Sequence, residues 1–192
     1  MKNLFYLLIV SILISCSSVK KTQEALNSGN YYNAINNSIA KLSENKTKKG
    51  NQEYIYILQD AFAKNTKREL ENIKFLTKEN NPANYEKIYN TYISLQNIQN
   101  RIKPLLPLQL IKEGNNASFH FKDYTDNILK TKTKLSAYLY DNASNLLIAA
   151  VNKYDYRKAY GDFAYLNELN PNYKDTNIKI EEAYQKGIDY VK

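Results

Sequence analysis

The sequence predicts an all-α fold for most of its 192 residues. Downstream of Ser18, apolar residues recur three or four positions apart through nearly every segment, which is the spacing of one face of an α-helix. Sustained alternation of apolar and polar residues, the pattern of a half-buried strand, is nearly absent. The 5 Gly and 4 Pro are too few for a collagen-like or Gly/Pro-rich disordered chain.

The first helices are separated by a glycine. A short helix is predicted over 19–28 and ends near Gly29, because glycine readily adopts the left-handed conformation that stops a helix. A second helix over 31–45 places four apolar residues on one face: Ala34, Ile35, Ile39 and Leu42. After a polar, charged turn, a long helix is predicted from Gln52 to about Lys78.

Asparagine and proline mark the next boundaries. Asn81 is a suitable cap for a fourth helix, and Pro82 fits its first turn, where no backbone donor is lost. Pro104 and Pro107 end that helix. We expect further helices from near Asp123 to Ala150, over 156–169 and over about 175–190.

The stretch over 108–122 is the one irregular part of this pattern. Residues 117–121 alternate in polarity and predict a short strand or an extended loop. His120 is the only imidazole of the chain, and the opposite orientation of Phe119 and Phe121 predicts that it is exposed. An incidental or structural role for His120 is the favoured interpretation over a catalytic one.

Composition limits the chemistry that the chain can perform. One Cys excludes an internal disulfide, and no Cys/His cluster suits a structural zinc. The net charge of +8 favours an anionic partner, but the 18 Tyr and many Asn, Lys and Ile equally fit the codon bias of an AT-rich genome. We find no phosphate-binding glycine loop and no HExxH, CxxC or GxSxG motif, so we expect no enzyme, no catalytic residue, no cofactor and no metal.

The amino terminus carries a targeting signal. Residues 4–14 are apolar apart from one serine, and at about 1.5 Å per residue they would span about 17 Å as a helix, well short of the roughly 30 Å membrane core. This run is typical of a secretion signal. It ends in Leu13-Ile14-Ser15-Cys16, which resembles the bacterial lipobox. The resemblance implies a signal peptide over 1–15, cleavage before Cys16 and acylation of that residue.

A lipid on Cys16 explains why an exported chain has a single thiol. The alternatives are an ordinary signal peptide with an incidental Cys, or an uncleaved anchor. Residues 16–21 form a short polar tether, and 22–192 the helical domain. The composition resembles that of lipoproteins from the Bacteroidota group, in which an acidic stretch after the Cys is associated with surface display. None follows Cys16, so we expect a periplasm-facing outer-membrane protein.

Two segments resemble tetratricopeptide repeats, near 29–42 and over about 143–172. The resemblance implies a short solenoid of antiparallel helix pairs, in which small residues allow close approach and aromatic residues fill the gaps between helices. The residues that carry it are Gly29, Tyr31, Ala34, Tyr156, Ala159, Phe163, Leu166 and Pro171.

The leading functional hypothesis is a lipid-anchored interaction scaffold that binds the membrane through Cys16 and an unidentified envelope protein through its helices. The export signal disfavours nucleic acid as a partner. The alternative is an envelope glycan- or peptidoglycan-binding lipoprotein, since tyrosine rings suit sugar as well as peptide contacts. Tyr165 and Tyr173 lie off the main apolar stripes and are the candidate contact residues, although packing is the simpler role for any single tyrosine.

Overall fold

A computed structural model describes residues 18–189 and confirms that this part of the chain is all-α. The predicted signal peptide over 1–15 and the lipid attachment at Cys16 lie outside the described residues, and the last helix, predicted to about residue 190, ends at Gly187, where the backbone becomes extended. The helices are α1 over 18–27, α2 Tyr31–Asn45, α3 Gln52–Lys78, α4 Tyr85–Ile102, α5 Thr125–Ala149, α6 Lys153–Leu169 and α7 Thr176–Gly187.

The chain divides into two compact units. The first unit contains residues up to Asn72 together with Ser94–Asp123, and the second contains Ile73–Ile93 together with residues from Tyr124 onward. α3 and α4 therefore each contribute one part to either unit. Each unit has its own cluster of buried apolar side chains.

The core of the first unit is built from the apolar faces that the sequence predicts. Ile35, Ile55, Leu58 and Ile102 are fully buried, and α1 adds Leu26. Burial of each such side chain contributes roughly 1.5–3 kcal/mol to folding. These faces hold α1, α2 and the relevant parts of α3 and α4 in one cluster.

A buried asparagine closes the carboxyl end of α2. The Asn51 side chain is 6% exposed, and its Nδ2 donates to the backbone oxygens of Lys41 at 3.1 Å and Asn45 at 2.7 Å. Carbonyls of the last helical turn have no partner within the helix, so this side chain supplies one. The polar turn predicted after α2 thus has a defined structure.

The α3–α4 boundary follows the prediction from Asn81 and Pro82. The Asn81 side chain accepts a hydrogen bond from the Ala83 backbone, and Pro82 begins a short 3-10 turn that leads into α4. Asn80 has a φ of 50°, a left-handed conformation that asparagine tolerates better than most residues. The prediction of a helix stop followed by a capped start is confirmed.

The irregular stretch after α4 contains one small hairpin in the described part of the chain. Strand β1 (Gln109–Leu110) pairs antiparallel with β2 (Asn115–Asn116), and Gly114, with a φ of 69°, lies in the turn. Residues 117–121 form no strand and are extended, which is the second of the two predicted alternatives. The hairpin itself was not predicted.

In the second unit, α6 packs against both α5 and α7, as antiparallel chain neighbours. Its buried cluster contains six residues: Ala143, Leu147, Ala159, Phe163, Leu166 and Ala183. α6 begins at Lys153, three residues before the predicted start, because Asn152 caps it. The Asn152 side chain accepts from the backbone of Asp155, and the Asp155 carboxylate accepts from that of Asn152, which completes a capping box.

Candidate functional site

An elongated cavity lies along one face of α3 in the first unit. Positions three or four apart on α3 run along it: Tyr56, Asp60, Ala63, Lys67 and Leu70. Gln23 of α1 lies on one side of it, and residues 118–122 lie on the other. Its volume of about 760 Å³ lies in the range of roughly 300–1,000 Å³ that is usual for small-molecule sites. We call this cavity the α3 groove.

Glutamine side chains hold the extended wall of the groove in place. Gln99, only 2% exposed, donates from Nε2 to the Lys122 carbonyl at 2.9 Å and accepts from the Lys122 amide at 2.6 Å. Gln59 accepts from the Ser118 amide at 2.8 Å. An extended backbone without a strand neighbour needs other partners for its polar groups, and the two glutamines provide them.

Along this wall, side chains that pack into the core alternate with side chains that face the groove. Phe119 and Phe121 turn inward, and both contact Phe62 edge to face, with ring centroids 5.6 and 5.7 Å from it. The intervening His120 is exposed, as predicted, and lines the groove together with Ser118. The side-chain period of two in extended backbone therefore fixes which residues face the cavity.

The groove has an apolar floor. Leu26, Ile57 and Phe62 line it and are 5%, 2% and 4% exposed, so the core of the unit continues to the cavity surface. A ligand with an apolar body would therefore remove apolar surface from water at this site.

Positive charge predominates around that floor. The carboxylate of Asp60 is paired with Lys64, 2.8 Å away, and this hydrogen bond raises the pKa of Lys64. Among residues 18–189, the side-chain nitrogens of Lys67, His120 and Lys122 have no ion-pair or hydrogen-bond partner. The groove thus presents basic groups to a ligand, and the charge of its aspartate is already neutralised.

A tyrosine–carboxylate pair lies at the edge of the groove. The hydroxyl of Tyr56 donates to Glu113, and this hydrogen bond raises the pKa of Tyr56 to about 12. Lys112 lies over the Tyr56 ring, 5.7 Å from its centroid, and pairs with Glu53 at 3.2 Å. Glu53 is thus paired with Lys112, and Glu113 accepts the hydrogen bond of Tyr56.

The predicted packing residues near the amino terminus lie at the α1–α2 junction. Gly29 has a φ of 79° in the turn, and Ala34 is fully buried in the core. Tyr31 is half-buried, with the guanidinium of Arg68 4.8 Å from its ring centroid. Arg68 also donates to the Gly29 carbonyl at 2.7 Å, so it joins this turn to α3.

The predicted packing residues near the carboxyl terminus belong to α6 and the turn after it. Ala159, Phe163 and Leu166 are fully buried. Tyr156 is half-buried against the same cluster, whereas Pro171 is exposed in the turn between α6 and α7.

The two candidate contact tyrosines have different surroundings. Tyr165 is 39% exposed, and its hydroxyl donates to Glu86 at 2.5 Å. This hydrogen bond raises the pKa of Tyr165 to about 12. Tyr173 is half-buried against the cluster of the second unit, where it meets Tyr140 edge to face at 5.9 Å.

The α5–α6 turn exposes three large apolar side chains within seven residues. Ile148, Val151 and Tyr154 are 81%, 87% and 79% exposed. Isolated apolar residues are common on protein surfaces, but a local concentration of them is typical of contact surfaces. We call these three residues the apolar corner.

Within residues 18–189, none of the helices combines the length and the apolar composition needed to cross a bilayer. Over the same residues, no group of three or more His, Cys, Asp and Glu side chains is placed to hold a metal ion.

Sequence reasoning did not find the groove or the apolar corner. The alternating polarity over 117–121 indicates which side chains lie on the same surface. The gap between that surface and α1, however, exists only in the folded unit. The corner was hidden because Val151 and Tyr154 continue the apolar pattern of the neighbouring helices.

No protein-family model, curated protein or solved structure matches this chain. The chain's own residues are therefore the support for a functional proposal.

Proposed function

We propose that this protein is a lipid-anchored interaction scaffold of a Gram-negative envelope, held at the periplasmic side of the outer membrane. The anchor rests on the apolar run over 4–14 and on its lipobox-like end at Cys16. More than one acyl chain on a single residue gives stable attachment, whereas one chain gives marginal binding. Lys20 and Lys21, exposed in the first turns of α1, lie four and five residues after Cys16 and suit contact with anionic headgroups.

The helical order in the second unit supports the tetratricopeptide-like part of the proposal. α5, α6 and α7 pack in chain order, with Ala159 buried on α6. A small residue at such a position allows close helix approach, and Phe163 fills the adjacent space. Stacked helix pairs of this kind form an extended surface suited to protein partners.

The observation that carries the scaffold function is the apolar corner. Exposing Ile148, Val151 and Tyr154 to water forgoes the roughly 1.5–3 kcal/mol that burial of such a side chain supplies. An envelope protein with an apolar surface would recover part of that free energy on binding. We therefore place partner binding at this corner.

The anchor is tested by metabolic labelling of cells with a tagged fatty acid. Wild-type chain should incorporate the label and remain with the membranes, and Cys16→Ser should lose both properties. Ser17→Ala, one residue away, is the matched control and should behave as wild type. An unlabelled, soluble wild-type chain would contradict the anchor.

Partner binding is tested by site-specific photocrosslinking in living cells from position 151. A discrete crosslinked species should form there, and Ile148→Asp should reduce its yield severalfold. Ile111→Asp, at a residue that is 58% exposed in the other unit, is the control and should leave the yield unchanged. The absence of any discrete species at position 151 would argue against the scaffold.

A further inference from the structure

We infer that the α3 groove binds a single-chain amphiphile with an anionic head group, such as a long-chain fatty acid. This site is separate from the apolar corner and does not depend on the scaffold function. The length of the groove, its apolar floor, the charges around it and the hydrogen bonds already made inside it favour such a ligand.

The shape of the groove suits an extended chain. Its lining follows α3 from Tyr56 to Leu70, a length of about 21 Å at roughly 1.5 Å per residue. A cavity of about 760 Å³ lined over that length has room for an extended alkyl chain. Leu26, Ile57 and Phe62 make its floor apolar, as an alkyl chain requires.

The charged side chains around the groove favour an anionic head group on the ligand. Lys67, His120 and Lys122 reach the groove without partners among the described residues, whereas Asp60 is paired with Lys64. A carboxylate or phosphate head group would complement Lys67 and Lys122 through charge-assisted hydrogen bonds, and the His120 ring would add a further donor. A neutral or cationic amphiphile would gain no ionic contact with the lysines.

An extended peptide in the groove would need partners for its own backbone groups. Some of the groove's hydrogen-bonding groups are already used: Gln59 Oε1 accepts from the Ser118 amide, and Gln23 Nε2 donates to Asn27 at 2.9 Å. The amide and carbonyl of Lys122 are both bound to Gln99. Fewer partners therefore remain for a peptide backbone, whereas an alkyl chain requires none.

The test uses the full chain in nanodiscs of neutral phosphatidylcholine and a palmitate analogue that carries a photoreactive diazirine. Crosslinks mapped by mass spectrometry should lie on peptides that contain residues 56–70 and 117–122. Unlabelled palmitate should compete with the probe, and hexadecanol should compete at least about tenfold less well, a difference of about 1.4 kcal/mol. Lysophosphatidylglycerol as a second competitor distinguishes a phosphate from a carboxylate head group.

Two pairs of variants locate the site. Ala63→Trp fills the groove from an exposed position and should abolish labelling, whereas Ala40→Trp, exposed on α2, should not. Changing Lys67 and Lys122 together to Glu should reduce labelling about tenfold or more, since both cationic partners of the head group are replaced by like charges. Changing Lys48 and Lys49 together to Glu is the control for net charge.

All variants should retain the far-ultraviolet circular dichroism and thermal transition of the wild type, because the altered positions are exposed. Three results would overturn the inference: labelling that persists in Ala63→Trp, crosslinks confined to other segments, or equal competition by hexadecanol. A peptide ligand would give no palmitate-sensitive crosslink in the groove and would likewise overturn it.

Discussion

Single side chains decide the geometry of the groove wall. Gln99 is the clearest case, because a buried amide pairs with both backbone polar groups of Lys122. It lies on the apolar stripe of α4, four residues after Leu95 and three before Ile102, so its burial follows from the helical period but its hydrogen-bond partner does not. Which backbone group a buried amide meets depends on a segment more than twenty residues away in the chain.

We predict that Gln99→Leu destabilises the first unit by about 1 kcal/mol, since it removes both hydrogen bonds to the Lys122 backbone. Hydrogen exchange at the Lys122 amide should accelerate, and chemical denaturation should report the loss of stability. Asn97→Leu, exposed on the same helix, is the control. Unchanged exchange at Lys122 would show that the glutamine does not hold the wall.

Tyr165 offers a test based on titration. Its pKa is raised to about 12, first by the hydrogen bond to Glu86 and then by burial. The neutral phenol is thus favoured in the folded state, so its contribution to stability is present below pH 10 and is lost as the pH rises towards 12.

Ultraviolet titration of the tyrosines should therefore show a late phase near pH 12, and Tyr165→Phe should diminish it. Glu86→Gln should move that part of the titration to lower pH, because the carboxylate that favours the phenol is gone. A late phase of the same size in Tyr165→Phe would contradict the assignment.

At the scale of elements, helix boundaries were predictable wherever a local signal marks them. Gly29, Asn81 and Pro82 act within one turn of their own position, so their effect can be predicted from the sequence. The start of α6 was placed too late because the signal at Asn152 is reciprocal and involves Asp155 as well. The two-residue strands of the hairpin are too short to carry a periodic pattern.

Replacing either of two glycines by alanine should change the stability of the protein, in opposite directions. Gly29 has a φ of 79° with open space around it, so Gly29→Ala should cost about 1 kcal/mol through backbone strain alone. Gly161 lies inside α6, also with open space, so Gly161→Ala should stabilise by roughly 0.5–1 kcal/mol.

Thermal unfolding of the two glycine variants gives the comparison directly. The melting temperature should fall for Gly29→Ala and rise for Gly161→Ala. Shifts of the same sign would show that one of these glycines has a role beyond its backbone conformation.

At the scale of the molecule, the all-α class was predictable because helical periodicity covers most of the chain. The division into two units was not visible, because α3 and α4 run through the boundary without interruption. The groove was equally inaccessible, since it depends on how far apart α1 and the segment over 117–122 are held.

Separate cores predict separate responses to core mutations. Phe163→Ala should destabilise by about 3–5 kcal/mol and accelerate hydrogen exchange in α6 and α7 more than in α2. Leu58→Ala should produce the reverse pattern, since Leu58 belongs to the other cluster. A uniform acceleration in both variants would show that the two clusters unfold as one.

The wall that Gln59 and Gln99 hold is fixed through backbone amides and through Phe119 and Phe121. The alternate positions, 118, 120 and 122, contribute side chains that the fold does not use. Substitutions at positions 118, 120 and 122, whether natural or from a combinatorial library, should therefore change the chemistry of the groove lining while the fold stays the same.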